Sequence, residues 1–231
     1  MNAPAVVLAW GRVDADGIVG SARPQVRWTE VGIAAPGDGR TFRRVFGDRD
    51  ETFRRLDRTS RALVLAGAAA GISRVLTPEL AAGAAIVFET SVGSLDADLR
   101  FADSMAAGLC DGPVFAYTLP SSSLGELALR HGLRGPTVCL STVEAQPGVA
   151  LREAELMLAA GEVDVAIAGR VDVLAGSRPT VAPVCLAVVA VLVRASLGRR
   201  GVTGWPDAQD PWRDWPQGHG AISDNRSGRT E

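Results

Sequence analysis

The chain has 231 residues, 47% hydrophobic and 22% charged, which is ordinary for a soluble globular protein with one sizeable core. A net charge of −2 excludes any general electrostatic attraction to nucleic acid or an anionic membrane. Three scattered cysteines and two histidines, with no CxxC pair, argue against a disulfide scaffold and against a zinc or other metal site.

Residues 5–10 form a continuous apolar run closed by Asp14-Ala15-Asp16-Gly17, the pattern of a buried strand. Residues 18–50 mix Gly, Pro, Arg and Asp without a clear period and read as loop, with a short strand over 25–31. Leu56, Leu63, Ala66 and Ala70 recur at helical spacing and predict a helix over 51–72, with Gly71 near its stop. Around its start lies a basic run of Arg40, Arg43, Arg44, Arg54, Arg55, Arg58 and Arg61, read either as a solvated face or as a docking surface for an acidic partner. A strand over 84–88 and a helix over 95–108 follow. Two prolines and three serines predict an extended segment over 112–123. From Ser123 the pattern turns helical through Leu124, Leu127, Ala128 and His131, and Gly132 closes it.

The chain then runs from Gly135-Pro136 into a strand, a tight turn and a helix whose first turn suits Pro147. Val149, Ala150, Ala154, Met157 and Leu158 give that helix a buried face, and Gly161 ends it. Such a joint is where α/β enzymes hold a nucleophile over a helix N-terminus. Here the turn carries Glu144 and Gln146, with neither Ser nor Cys at its tip. Strands over 163–169 and 184–193 complete the body. The order predicts an α/β fold with a five-stranded, mostly parallel sheet flanked by helices. Residues 1–200 read as one domain and 201–231 as a disordered tail. Trp205, Trp212 and Trp215 in the tail are either chance or a short docking segment. No secretory pattern is visible, and the longest apolar run, 181–193, is short for a bilayer and contains Pro183, so a cytoplasmic protein is expected.

Several pieces carry a family resemblance. Leu56-Asp57-Arg58-Thr59-Ser60-Arg61-Ala62-Leu63 resembles the helix before the second strand of β-ketoacyl synthases. Val87-Phe88-Glu89-Thr90-Ser91-Val92-Gly93 is similar to their strand ending in Gly-Thr-Ser-x-Gly, with Glu89 where Gly is usual. The stretch 115–125 followed by His131-Gly132-Leu133-Arg134-Gly135-Pro136 is similar to their run ending in Leu-Gly-Leu-x-Gly-Pro. Gly161-Glu162-Val163-Asp164-Val165-Ala166-Ile167-Ala168-Gly169 resembles their Gly-x-x-Asp turn and fourth strand. Together these pieces span residues 5–196 and imply half of a thiolase-like fold.

In active members of that family, the strand after Gly-Pro delivers a cysteine to a helix N-terminus, where dipole and backbone N–H groups favour the thiolate. By count from Gly135-Pro136 that position is Glu144. Cys139 comes five residues too early and reads as an inert core thiol rather than a displaced nucleophile. His131 and His219 match neither catalytic histidine of the family. The groups a Claisen condensation needs are therefore missing.

The resemblance thus implies a chain length factor-type subunit: catalytically silent, paired with a full-length ketosynthase in polyketide or fatty-acid-type assembly, and shaping the acyl tunnel without a cofactor. Tunnel candidates are Glu89, Ser91, Thr142, Glu144 and Gln146. The expected pairing edge is Thr137, Val138, Cys139, Leu140 and Ser141, since an unpaired apolar strand is an aggregation hazard on a monomer. The partner is also expected to bury Leu124, Leu127 and Met157. Arg54, Arg55 and Arg58 are candidates for docking an acyl carrier protein. Glu144 reads either as a structural acid offsetting the helix dipole by ~0.3–1 kcal/mol or as a chemical group. Glu89 and Ser91 read as an ordinary loop or as cavity walls. Two other functions stay open: a stand-alone acyl- or malonyl-thioester hydrolase or decarboxylase using Glu144, and a self-associating carrier-binding module.

Overall fold

The computed structural model describes residues 5–32, 40–47, 50–142, 148–175 and 184–198. Three strands open the chain: β1 (Ala5–Val13), β2 (Gly17–Gly20) and β3 (Arg23–Arg27). Helix α1 (Thr41–Phe46) and a single 3-10 turn (Phe53–Arg55) lead into the long helix α2 (Arg58–Ala70). Short helices α3 (Ile72–Val75) and α4 (Pro78–Gly83) precede β4 (Ala85–Thr90). Then come α5 (Leu95–Ala106), α6 (Gly112–Phe115), α7 (Ser122–His131) and β5 (Thr137–Ser141). Helix α8 (Val149–Ala160), β6 (Val165–Leu174), β7 (Val184–Arg194) and α9 (Ala195–Gly198) complete the order.

Among the described residues the sheet has seven strands in the order β3-β2-β1-β7-β6-β4-β5, not the expected five. It is mixed rather than mostly parallel. Among the described strands, only β4–β5 and β4–β6 pair in parallel, and the other pairings are antiparallel. Connection length explains this. Residues 175–183 join β6 to β7, too few for the dozen or more that a parallel crossover requires. The expectation missed β2 and placed β3 a few residues late, because both are short, rich in Gly and Arg, and lack an apolar period.

The sheet is covered on both faces. Ile86, Phe88, Val165, Ile167, Val189 and Val191 face the core built around α2 and α7. The alternating residues Ala85, Val87, Ala166 and Ala168 face α8, with Ala150, Ala154 and Leu158 of that helix. Small side chains on both sides let α8 sit close to the sheet. Helix α2 starts on Asp57, whose carboxylate accepts the N–H of Ser60 at 2.9 Å and of Thr59 at 3.3 Å. It stops at Gly71, which takes φ 75°, a conformation that favours glycine. It lies so close to β1 that a Cβ on Gly11 would sit 2.1 Å from the Ala66 carbonyl oxygen.

Three further expectations need correction. Residues 112–115 are helical, because Asp111 accepts the Val114 N–H at 3.1 Å and Pro113 sits in the first turn, where it costs no hydrogen bond. Leu124, Leu127 and Met157 await no partner, being buried within the chain itself. Cys139 is exposed on an edge strand instead of lying in the core. The expected tail over 201–231 lies outside the described residues, and no described helix is long and apolar enough to cross a membrane.

Candidate functional site

The parallel strands β4 and β5, with β6 beside β4, end together close to the start of α8. Glu89 is the penultimate residue of β4 and is 1% exposed. Its carboxylate bridges to α8, accepting the N–H of Gly148 at 3.1 Å and of Ala150 at 2.9 Å. The first turn of a helix leaves N–H groups without intrahelical partners and carries partial positive charge. A carboxylate arriving from the neighbouring strand satisfies both needs. Glu89 is therefore tied into the fold.

Asp172 forms a second buried carboxylate centre beside it, at 2% exposure. It accepts Thr90 Oγ1 at 2.9 Å, the Ser91 N–H at 2.7 Å and the Val92 N–H at 3.2 Å. Arg170 donates to the same group through Nε at 2.5 Å and to Ser91 Oγ at 3.0 Å. Thr142 joins the cluster through its N–H, which donates to the Thr90 carbonyl at 2.9 Å. Glu89, Ser91 and Thr142 are thus brought to one end of the sheet. Glu144 and Gln146 lie outside the described residues. Sequence reasoning missed Asp172 and Arg170, although a charged pair interrupting the apolar run of β6 is a visible signal.

The candidate edge is an edge: β5 ends the strand order, with β4 as its neighbour. The Ile86 N–H donates to the Pro136 carbonyl, and the Thr142 N–H to that of Thr90. The two-residue period of a strand then turns the backbone groups of Thr137, Cys139 and Ser141 outward. Val138 and Leu140 pack against the α8 side. Cys139 is exposed, yet the desolvation of its surroundings pushes its thiol up, away from thiolate character.

The arginine candidates divide. Arg54 and Arg55 are exposed. Arg58 instead donates to Asp96 at 3.1 Å, a carboxylate 3% exposed that also accepts the Ala175 N–H at 2.9 Å.

Residues 13–185 match the family model for the β-ketoacyl synthase N-terminal domain. Similar solved structures include a ketosynthase (ApeO) in complex with its chain length factor (ApeC) from Xenorhabdus doucetiae, with TM-score 0.56 and 16% identity, covering 83% of this chain and 79% of that one. The ishigamide ketosynthase/chain length factor aligns with TM-score 0.60 at 13% identity, over 85% of this chain and 64% of that one. A β-ketoacyl synthase from Burkholderia phymatum STM815 aligns with TM-score 0.56 at 18% identity, over 84% of this chain and 60% of that one. The chain thus spans less than two thirds of the latter two. No curated protein matches the sequence. Sheet, helices and matches define a mixed α/β protein of the thiolase-like class. Within that class, the chain belongs to the β-ketoacyl synthase family.

Proposed function

We propose that this chain is a chain length factor-type subunit that forms no carbon–carbon bond itself. It pairs with an active ketosynthase in polyketide or fatty-acid-type assembly and helps shape the acyl tunnel. The observation that carries this reading is the Glu89 carboxylate on the N–H groups of Gly148 and Ala150. Those are the donors that would favour a thiolate at the start of this helix, and a buried negative charge among them opposes one. The sequence agrees, placing Glu144 where the family's cysteine is expected.

The outward backbone groups of Thr137, Cys139 and Ser141 support pairing through β5, because an open edge accepts a further strand. The exposed Arg54 and Arg55 favour docking of an acidic acyl carrier protein at the same assembly. Co-expression with a full-length ketosynthase followed by size-exclusion chromatography tests the pairing. Co-elution as a heterodimer is expected. A stable monomer indifferent to ketosynthases overturns the reading, as does condensation activity by the chain alone.

A further inference from the structure

We propose that Ser73 and His131 form a hydrolytic site for a short-chain acyl ester or thioester. Ser73 lies on α3 and His131 is the last residue of α7. Packing of α7 on α2 brings together these two residues, 58 positions apart in sequence, and Ser73 Oγ lies 2.7 Å from His131 Nδ1. A nucleophile and its base need that distance.

The pair lines a cleft of about 400 Å³, within the range of small-molecule sites. Ile72, Leu76 and Ala81 supply apolar lining suited to an acyl chain, and Arg134 lies along the same cleft, suited to an anionic leaving portion. Ser73 is exposed, so its hydroxyl is reachable. Burial, and secondarily the neighbouring Arg130, lower the His131 pKa to about 4, so its imidazole is neutral near pH 7 and, in the tautomer protonated on Nε2, accepts the Ser73 hydroxyl at Nδ1, although as a weaker base than an ordinary histidine. Arg130 itself is engaged by Asp50.

The step balances with water as co-reactant. Ser73 Oγ bonds to the carbonyl carbon as its proton passes to His131 Nδ1. The bond from that carbon to the departing oxygen or sulfur breaks, and the leaving group takes the proton from Nδ1. Water, deprotonated by the same nitrogen, then cleaves the acyl-serine to release the carboxylic acid and restore Ser73.

The cleft is remote from Glu89. Helix α4 ends at Gly83, just before β4, and α7 feeds β5, so the cleft lies at the N-terminal ends of the strands that carry Glu89 and Thr142 at their other ends. The two proposals therefore stand or fall separately.

The test uses the purified full chain with p-nitrophenyl acetate and butyrate, together with a fluorophosphonate probe mapped by peptide mass spectrometry. We expect the adduct on Ser73 of the wild type, and in Ser73→Ala a loss of both the adduct and about 10²-fold or more of kcat/KM. His131→Gln should show the same loss of labelling at Ser73. An unlabelled Ser73 in the folded wild type overturns the proposal, whatever the variants do. So does unchanged hydrolysis in Ser73→Ala. Co-elution of Ser73→Ala with a ketosynthase is expected to match wild type.

Discussion

The buried carboxylate of Glu89 accepts the backbone N–H of Ala150 at 2.9 Å, joining the end of β4 to the first turn of α8. One side chain thereby caps a helix across a gap of 61 residues in sequence and fills the position from which such a helix would stabilise an anion. Glu89→Ala leaves two N–H groups without their acceptor and is expected to destabilise the fold by about 3 kcal/mol. Glu89→Gln retains an amide oxygen and should cost less, about 1 kcal/mol. Urea denaturation of the three proteins at pH 7 checks the order.

Arg58 behaves differently from Arg54 and Arg55. Arg58→Glu removes the cation from the buried Asp96 and places a second negative charge beside it; because the Arg58 side chain is 42% exposed and screened by water, the expected cost is about 1–2 kcal/mol. The double change Arg54→Glu with Arg55→Glu alters exposed side chains and should shift the thermal midpoint little. Carrier binding, measured by calorimetry with an acyl carrier protein, should fall in the Arg54/Arg55 double variant at low salt.

His131 gives the fold a pH dependence of defined sign. Its folded pKa, about 4, lies below its ordinary value of 6.5. As pH falls, the unfolded chain therefore takes up this proton first. Stability is fully present above about pH 6.5 and drops through the window down to about pH 4, by a total of about 3 kcal/mol. His131→Asn should remove that part of the slope. Urea midpoints of both proteins at pH 7, 5.5 and 4.5 measure the difference.

The β5 edge allows a selective test of pairing. The Cys139 N–H faces outward, so Cys139→Pro removes an edge donor without breaking a bond to β4. The monomer should stay folded, with unchanged far-ultraviolet circular dichroism. Co-elution with a ketosynthase should be lost. Retained co-elution would move the interface away from this strand.

The apolar runs made β1, β4, β5, β6 and β7 legible, and helical spacing with glycine stops did the same for α2, α7 and α8. These elements bury continuous apolar surface, so their signal is local. Strands β2 and β3 were obscured because their pairing partners, rather than their side chains, define them. Helix α6 was obscured because one Asp111 cap outweighs the prolines around it. The burial of Leu124, Leu127 and Met157 was misassigned, since periodicity marks a face as apolar without saying what covers it.

By itself, then, the sequence determined that the turn after the Gly135-Pro136 strand carries an acid, Glu144, at the position where the family's thiol is expected, and that the chain has the family's order of strands and helices. It also singled out Glu89 as an unusual residue in its loop. Only the tertiary structure decided what Glu89 does. Its partners, Gly148 and Ala150, are backbone groups, which have no signature in a sequence, and a parallel sheet brings them within hydrogen-bond reach of a residue some sixty positions earlier. The same holds for Ser73 and His131, whose meeting depends on how α7 packs on α2.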